Sequence, residues 1–368
     1  PGLKVLENTT IKKTRLLPLR GDVVLSKGDK VEPGTVVATT KIPGNVHMVN
    51  IANELNIDPS DIHNTINTSI DSDVSEGDII AESSGLFGMF KSEIKSPVSG
   101  KVSNISDVTG QLVISEHPIP INLSAYVSGE ITDIYEGEGV EISSNGAMVQ
   151  GIIGIGGEQV GCLEVITNSP DETISESSIT DEMKGKVIVA GSYIDYKIFQ
   201  RACDVGASAI LTGGFDYTDL NKVLGYNLGV AVTGNENIQT SLIILEGFGR
   251  IPISNKAFKI FNKFNKKEAS VNGSTQIRAG VMRPEIIIPH SNSNIHGAFN
   301  DEDLVIKKGS TVRIIRSPYF GSIGKVTDLP SDLVELESGT MVRAASVRFE
   351  SGETYIIPRS NMEIILDK

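Results

Sequence analysis

Pro97-Val98-Ser99-Gly100-Lys101-Val102-Ser103-Asn104-Ile105 aligns without a gap with Tyr126-Val127-Ser128-Gly129-Glu130-Ile131-Thr132-Asp133-Ile134. The alignment continues, because Gly110 follows the first copy at the same distance as Gly139 follows the second. The valines and isoleucines are β-branched, which is typical of strands, and we expect them to face a core. The glycines permit the positive φ that tight turns need. Two copies of strand, turn and strand predict a small β barrel or sandwich.

The composition limits the class of protein. At 368 residues, the chain has room for about two to four domains. Because it has no tryptophan and few aromatic residues, its cores must be aliphatic, which favours β structure. No apolar run approaches the ~18 residues of a membrane helix, and no signal peptide is visible. Two distant cysteines in apolar contexts, Cys162 and Cys203, predict buried free thiols in a reducing compartment, so we expect a cytoplasmic protein without a membrane segment.

The net charge of −13 is unevenly distributed along the chain. Residues 102–183 contain fourteen acidic residues and no lysine or arginine. Such a block repels nucleic acid and anionic membranes. It is either a solvated face or a docking surface for a basic partner, and the sequence leaves both interpretations open.

A second pattern, Gly-Asp followed by β-branched residues and alanine, occurs at Gly28–Ala38 and Gly77–Ala81. It resembles the biotinyl/lipoyl-type barrel-sandwich hybrid at the front of Rnf- and Nqr-type electron-transport subunits, and Ser96–Val102 is similar to the other half of that fold. The resemblance implies β modules over residues 1–95, which include a small helical insertion, and 96–168; the alternative is one hybrid formed by both. Neither Met-Lys-Met nor Asp-Lys-Ala occurs, so we expect no biotin, no lipoate and no other cofactor.

Apolar strands alternate with helical segments over residues 183–285. This order predicts a parallel or mixed α/β sheet, and its layout resembles that of swivelling domains. One helix is expected from Asp195 to Val205, ended by Gly206. Because such sheets bind ligands at the carboxyl ends of their strands, the residues that follow the strands form a candidate ligand rim, with turn formation alone as the alternative. The rim consists of Thr212, Gly213, Gly214, Asp216, Thr233, Glu236 and Glu246.

The C-terminal residues carry the most specific motif. Gly309-Ser310-Thr311-Val312-Arg313-Ile314 is followed by Pro318-Tyr319-Phe320-Gly321-Ser322-Ile323-Gly324-Lys325-Val326. This resembles the KOW motif of NusG/Spt5-type transcription factors and certain ribosomal proteins, which implies an SH3-like barrel over residues 303–368. The resemblance also implies contacts with RNA, with polymerase or with another protein. The candidate contact residues are Arg313, Arg316, Tyr319, Phe320, Gly321, Gly324, Lys325 and Arg343.

Three functions stay open at this point. We find no catalytic motif, and the scattered histidines predict no metal site. The leading hypothesis is therefore a non-enzymatic, multidomain binding or assembly protein with a protein partner. The second is an RNA-binding or transcription- or translation-associated factor that acts through the KOW domain, which the net charge opposes. The third is an enzyme or small-molecule sensor that uses the strand ends of the α/β domain.

Overall fold

The computed structural model describes residues 3–83, 92–225, 238–276, 282–290, 305–314, 318–319, 322–335, 341–349 and 351–366. The described chain is rich in β strands, which form several sheets, and contains a few short helices. Within these ranges the strands close no barrel. The prediction of a β-rich chain is thus confirmed by its strands and sheets.

The first half of the described chain is almost entirely β structure. Its elements are β1 (Leu3–Leu16), β2 (Asp22–Val23), β3 (Lys30–Val31), β4 (Val36–Ile42), β5 (Val46–Asn50), α1 (Ile51–Leu55), β6 (Asp73–Val74), β7 (Ile79–Glu82), β8 (Glu93–Lys95), β9 (Gly100–Ser106), β10 (Gln111–Glu116), β11 (Ile119–Ser124), β12 (Gly129–Tyr135), β13 (Gly139–Gln150), β14 (Ile153–Ile155) and β15 (Glu158–Val165).

Residues 46–116 form an inserted lobe with a core of its own. The strands β5, β10, β9 and β6 form one sheet, and β7 pairs with β8. The ten buried residues of this core all lie within Val49–Ile114. The polypeptide enters and leaves the lobe side by side, with Ile42 paired to Ile119 just outside it. The first copy of the repeated hairpin, β9–β10, therefore belongs to the lobe, whereas the second copy, β12–β13, belongs to the largest sheet.

The repeated glycine–aspartate turns share one geometry. In Ser26–Asp29 and in Ser75–Asp78, the aspartate side chain accepts a hydrogen bond of 2.8 Å from the serine N–H. The glycine inside the turn has a φ of 92° in the first copy and 88° in the second, which only glycine adopts without strain. The pattern of residue types therefore specifies each turn locally.

The middle of the chain forms the α/β part. The strands β15 to β18 run parallel to one another in sequence order. The expected helix is confirmed as α2: the Asp195 side chain caps it by accepting from Ile198 N–H at 2.9 Å, and Gly206 ends it with a φ of 77°. The elements are β16 (Lys186–Val189), α2 (Tyr196–Val205), β17 (Ala209–Phe215), α3 (Tyr217–Leu224), β18 (Ser241–Phe248), α4 (Asn255–Lys263), β19 (Glu268–Asn272) and β20 (Glu285–Pro289).

The strand β1 connects the C-terminal strands to the rest of the largest sheet, because it pairs antiparallel with β13 and parallel with β27. In β21, Val312 and Ile314 belong to the C-terminal core cluster. Successive side chains of a strand point to opposite faces, so Thr311 and Arg313 lie on the outer face of these strands. The elements are β21 (Thr311–Ile314), β22 (Ile323–Asp328), β23 (Val334–Glu335), β24 (Met341–Val342), β25 (Ala344–Phe349), β26 (Thr354–Pro358) and β27 (Met362–Leu366).

Candidate functional site

Arg313 and Glu246 belong to two different candidate sites of the sequence, and in the structure they form one buried ion pair. Their side chains are only 2% and 6% exposed. The Arg313 guanidinium also donates to the Leu245 carbonyl at 3.3 Å, and Glu246 Oε1 accepts from Ser254 N–H at 2.8 Å. Arg313 therefore anchors the C-terminal strands to β18 and does not lie on an exposed surface, where an RNA contact would need it.

A second ion pair lies next to the first. Arg283 pairs with Glu363, and Glu363 lies directly opposite Arg313 in the register of β21 and β27. Burial raises the pKa of Glu363, and the charges of Arg283 and Arg313 oppose that shift. We call these two arginines and two glutamates the buried charge cluster. Its charges balance, as buried ions require; three of its side chains are at most 6% exposed, whereas that of Arg283 is 22% exposed.

The outer face of the C-terminal strands also borders a pocket of about 430 Å³, which we call the junction pocket. The β21–β22–β25 face contributes one group of residues to it, α4 contributes its N-terminal end, and β1 contributes a valine. Two predicted contact residues, Gly324 and Lys325, lie here. The lining consists of Val5, Ser254, Asn255, Lys256, Thr311, Ile323, Gly324, Lys325, Arg348 and Phe349.

The junction pocket is electropositive. Its charged lining residues are Lys256, Lys325 and Arg348, and none of its lining residues is acidic. Lys325 and Arg348 lie directly opposite each other on β22 and β25, where like charges repel. The N-terminal end of α4 adds a partial positive charge. A bound carboxylate or phosphate would relieve this repulsion and accept charge-assisted hydrogen bonds.

The other predicted contact residues lie at different distances from the pocket. Tyr319 belongs to an aromatic cluster, with its ring centroid 5.5 Å from that of Phe349 and 4.5 Å from that of Tyr355. Phe349 connects this cluster to the pocket lining. Arg343 is exposed between β24 and β25 and does not line the pocket. Three candidates lie outside the described residues: Arg316, Phe320 and Gly321.

The end of β17, which the sequence places on a ligand rim, is covered by the chain itself. Thr212 is fully buried, and its hydroxyl donates to the Gly214 carbonyl at 3.1 Å. A Cβ on Gly213 would lie 2.0 Å from the Ile251 carbonyl oxygen, and one on Gly214 would lie 1.8 Å from the Gly249 oxygen. These glycines therefore permit a close approach of two backbone segments.

Asp216 has a structural role as the N-cap of α3. Its carboxylate accepts from the Thr218 hydroxyl at 2.5 Å and from the Thr218 N–H at 2.7 Å, and these bonds lower its pKa. Thr233 and Glu236 lie outside the described residues. Among the described members of the rim, Glu246 alone reaches the C-terminal strands, through the buried charge cluster.

No sequence motif indicates Lys256 or Arg348 as a member of the pocket. The alternation of buried Val347 and exposed Arg348 in β25 places Arg348 on the outer face. The position of Arg348 beside Lys325, however, depends on the register between β22 and β25, which a single sequence does not provide. The approach of α4 to this face is a long-range contact without a local pattern.

Comparison of the chain with protein-family models finds no match, and comparison with curated proteins finds no match either. Across the described ranges, no group of three or more histidine, cysteine or acidic residues is arranged to hold a metal ion. No helix in that part of the chain is long and apolar enough to cross a membrane. The geometry of the junction pocket is therefore the basis of the functional argument.

Proposed function

We propose that this chain is a non-enzymatic, multidomain binding or assembly protein that holds an anionic group of a protein partner in the junction pocket. The observation that carries the proposal is the grouping of Lys256, Lys325 and Arg348 around a pocket without an acidic lining residue. Carboxylates of an acidic segment, or a phosphate carried by it, match these cations. Val5 and Ile323 supply apolar contacts for the flanking residues of that segment.

The packing of the C-terminal strands supports this proposal. The pocket needs both β22–β25 and α4, and the buried charge cluster fixes these elements relative to each other. A preorganised pocket loses less entropy when it binds. The KOW-like and barrel-sandwich interpretations of the sequence remain part of the proposal, since both fold types commonly serve as interaction modules.

RNA binding through the KOW-like residues is the second candidate function. It is favoured by the aromatic rings of Tyr319, Phe349 and Tyr355 beside Lys325 and Arg348, because single-stranded nucleic acid is held by stacking together with cations. It is opposed by the net charge of −13. The two functions can be distinguished with nuclease, which would release partners held through RNA but not partners bound directly by the chain.

The test is affinity capture from native lysate with the full chain, with and without nuclease, for wild type and the double variant Lys325→Ala/Arg348→Ala. We expect one stoichiometric, nuclease-resistant protein that the double variant loses. Titration of that purified partner should show a Kd raised by about a hundredfold, because each lost charge-assisted hydrogen bond is worth roughly 1.5 kcal/mol.

The control is Lys307→Ala/Lys308→Ala, which removes the same charge from an exposed part of the same strand region outside the pocket lining. It should retain the partner. Equal affinity of the wild type and the pocket variant for the partner would refute the role of the junction pocket. Loss of every partner after nuclease treatment would replace the proposal with the RNA function.

A further inference from the structure

A second cavity, of about 530 Å³, lies along the polar face of β1 and is separate from the junction pocket. Side chains from β1, β13, β15, β19 and β20 line it, together with Met282 and Arg283 just before β20 and Tyr126 from the link between β11 and β12. Its volume falls within the range of small-molecule sites, roughly 300–1,000 Å³. We call it the β1 cleft. Its charged and aromatic lining residues are Lys4, Lys12, Lys13, Arg15, Tyr126, Glu158, Arg283 and Glu285.

The backbone at Tyr126 is strained. Its φ is 70°, a left-handed conformation that is an outlier for a bulky side chain. Two hydrogen bonds hold it there: its N–H donates to the Pro33 carbonyl at 2.9 Å, and its carbonyl accepts from the Ser270 hydroxyl at 2.6 Å. Strain of this kind costs about 1–3 kcal/mol and clusters at functional sites. Here it fixes an aromatic ring in the wall of a charged cleft.

The polar groups around Tyr126 are themselves positioned by one another. Lys13 pairs with Glu285, and the Tyr126 hydroxyl donates to the same carboxylate at 3.4 Å. Arg15 donates to both oxygens of Glu158, at 2.5 and 2.8 Å, and its guanidinium carbon lies 5.4 Å from the centroid of the Tyr126 ring. The Tyr126–Glu285 bond is long, so the phenol of Tyr126, a residue that is only 2% exposed, can turn to a better-placed acceptor within the cleft.

The charges of the lining set the class of ligand. Five cationic residues and two acidic residues line the β1 cleft, in a chain whose net charge is −13. Lys13 and Arg15 pair with these two acids. Lys12 pairs with Glu141, and Arg283 pairs with Glu363; neither of these acids lines the cleft. Among the described residues no ion pair involves Lys4, so its ammonium is the charge that attracts an anion. Gln150 and Asn272 add amide groups to the lining, which suit hydroxyl or carbonyl groups of a polar ligand.

We infer that the β1 cleft binds a small, polar organic anion, a carboxylate or a phosphate ester, with the Tyr126 hydroxyl and the Lys4 ammonium in contact with it. The inference does not depend on the proposed function, because the two cavities share no lining residue. The carboxylate and the phosphate ester have the same recognition chemistry, and the experiment separates them.

The test is isothermal titration of the full chain with citrate, succinate, glucose 6-phosphate and ribose 5-phosphate, and with inorganic phosphate as the bare ion. We expect one organic anion to bind with a stoichiometry of one and more tightly than inorganic phosphate. Lys4→Gln and Tyr126→Phe should each weaken it about tenfold, the loss expected for one hydrogen bond to a charged group.

The control variants are Lys101→Gln, which removes a lysine of the inserted lobe, and Lys325→Ala in the junction pocket; both should bind the organic anion as the wild type does. Lys4→Gln alters a partly exposed side chain, so it tests the cleft even if Tyr126→Phe does not fold. Absence of binding by all four organic anions at about 10 mM, well above the range of typical ligand affinities, overturns the inference. Equal binding by wild type and Lys4→Gln overturns it as well.

Discussion

Replacement of Glu246 by glutamine perturbs the contact between the C-terminal strands and the α/β part. Glutamine keeps an oxygen that can accept from Ser254 N–H, but it removes the negative charge that pairs with Arg313. The Arg313 side chain is 2% exposed, so water cannot replace the lost carboxylate. The remaining acceptor for its guanidinium would be the Leu245 carbonyl, at 3.3 Å.

The expected loss follows from the burial of both partners. Removal of one member of a buried ion pair typically costs ~3–5 kcal/mol, because the other charge is left uncompensated. Glutamine retains one hydrogen bond, so we expect a loss at the lower end of this range, about 3 kcal/mol. This corresponds to roughly a hundredfold increase in the equilibrium constant for separation of the C-terminal strands from the α/β part. The double variant Glu246→Leu/Arg313→Met should lose less than Glu246→Gln, because it leaves neither of these two charges buried.

Urea unfolding followed by circular dichroism measures the loss, since the chain has no tryptophan, and hydrogen exchange of the β21 amides locates it. Lys12→Gln is the control: it breaks an ion pair with Glu141 in which the lysine side chain is 59% exposed, and such exposed pairs contribute little. An unchanged urea midpoint for Glu246→Gln would refute the argument. A double variant less stable than Glu246→Gln would also refute it.

Two further predictions concern the α/β part. Burial raises the pKa of Glu164, but hydrogen bonds from two lysines outweigh this and lower the pKa from 4.5. The stabilising contribution of Glu164 is therefore present above pH 4.5 and is lost as the pH falls. The difference in urea midpoint between wild type and Glu164→Gln should shrink on acidification, and a constant difference would contradict this. Gly214→Ala should destabilise the fold by about 3 kcal/mol, because its Cβ would lie 1.8 Å from the Gly249 oxygen. Gly34→Ala, where nothing lies within 4 Å, is the matched control in thermal unfolding and should have little effect.

Features specified by neighbouring residues could be predicted from the sequence. The helix α2 has its cap, its apolar face and its terminal glycine within one short segment, Asp195–Gly206. The repeated hairpins were likewise predicted as strand, turn and strand. Their sheets could not be, because the same local pattern leads β9–β10 into the core of the inserted lobe and β12–β13 into the largest sheet.

In the candidate sites, too, local features could be predicted from the sequence, whereas long-range contacts could not. Gly324 and Lys325 were expected to make contacts and do line a pocket. Arg313 lies on the same outer face as Thr311 but belongs to the buried charge cluster, because Glu246 and the Leu245 carbonyl of β18 contact its guanidinium. Its partner Glu246 is distant in sequence, and no local pattern indicates that pairing. The strain at Tyr126 also depends on two remote hydrogen bonds, to Pro33 and Ser270.

The net charge of the whole chain is a poor guide to its binding sites. The acidic block lies in residues 102–183, whereas neither the junction pocket nor the cationic side of the β1 cleft takes its cations from that block. Exposed charges separated by more than ~8 Å are largely screened at physiological ionic strength, so the field inside each cavity is set by its lining and by the charges that pair with that lining. An acidic protein of this kind can therefore bind an anion at an electropositive pocket while its remaining surface repels nucleic acid. The affinity at the junction pocket should then fall only modestly with salt, as expected for about three cations, whereas a steep dependence would indicate a much larger basic surface.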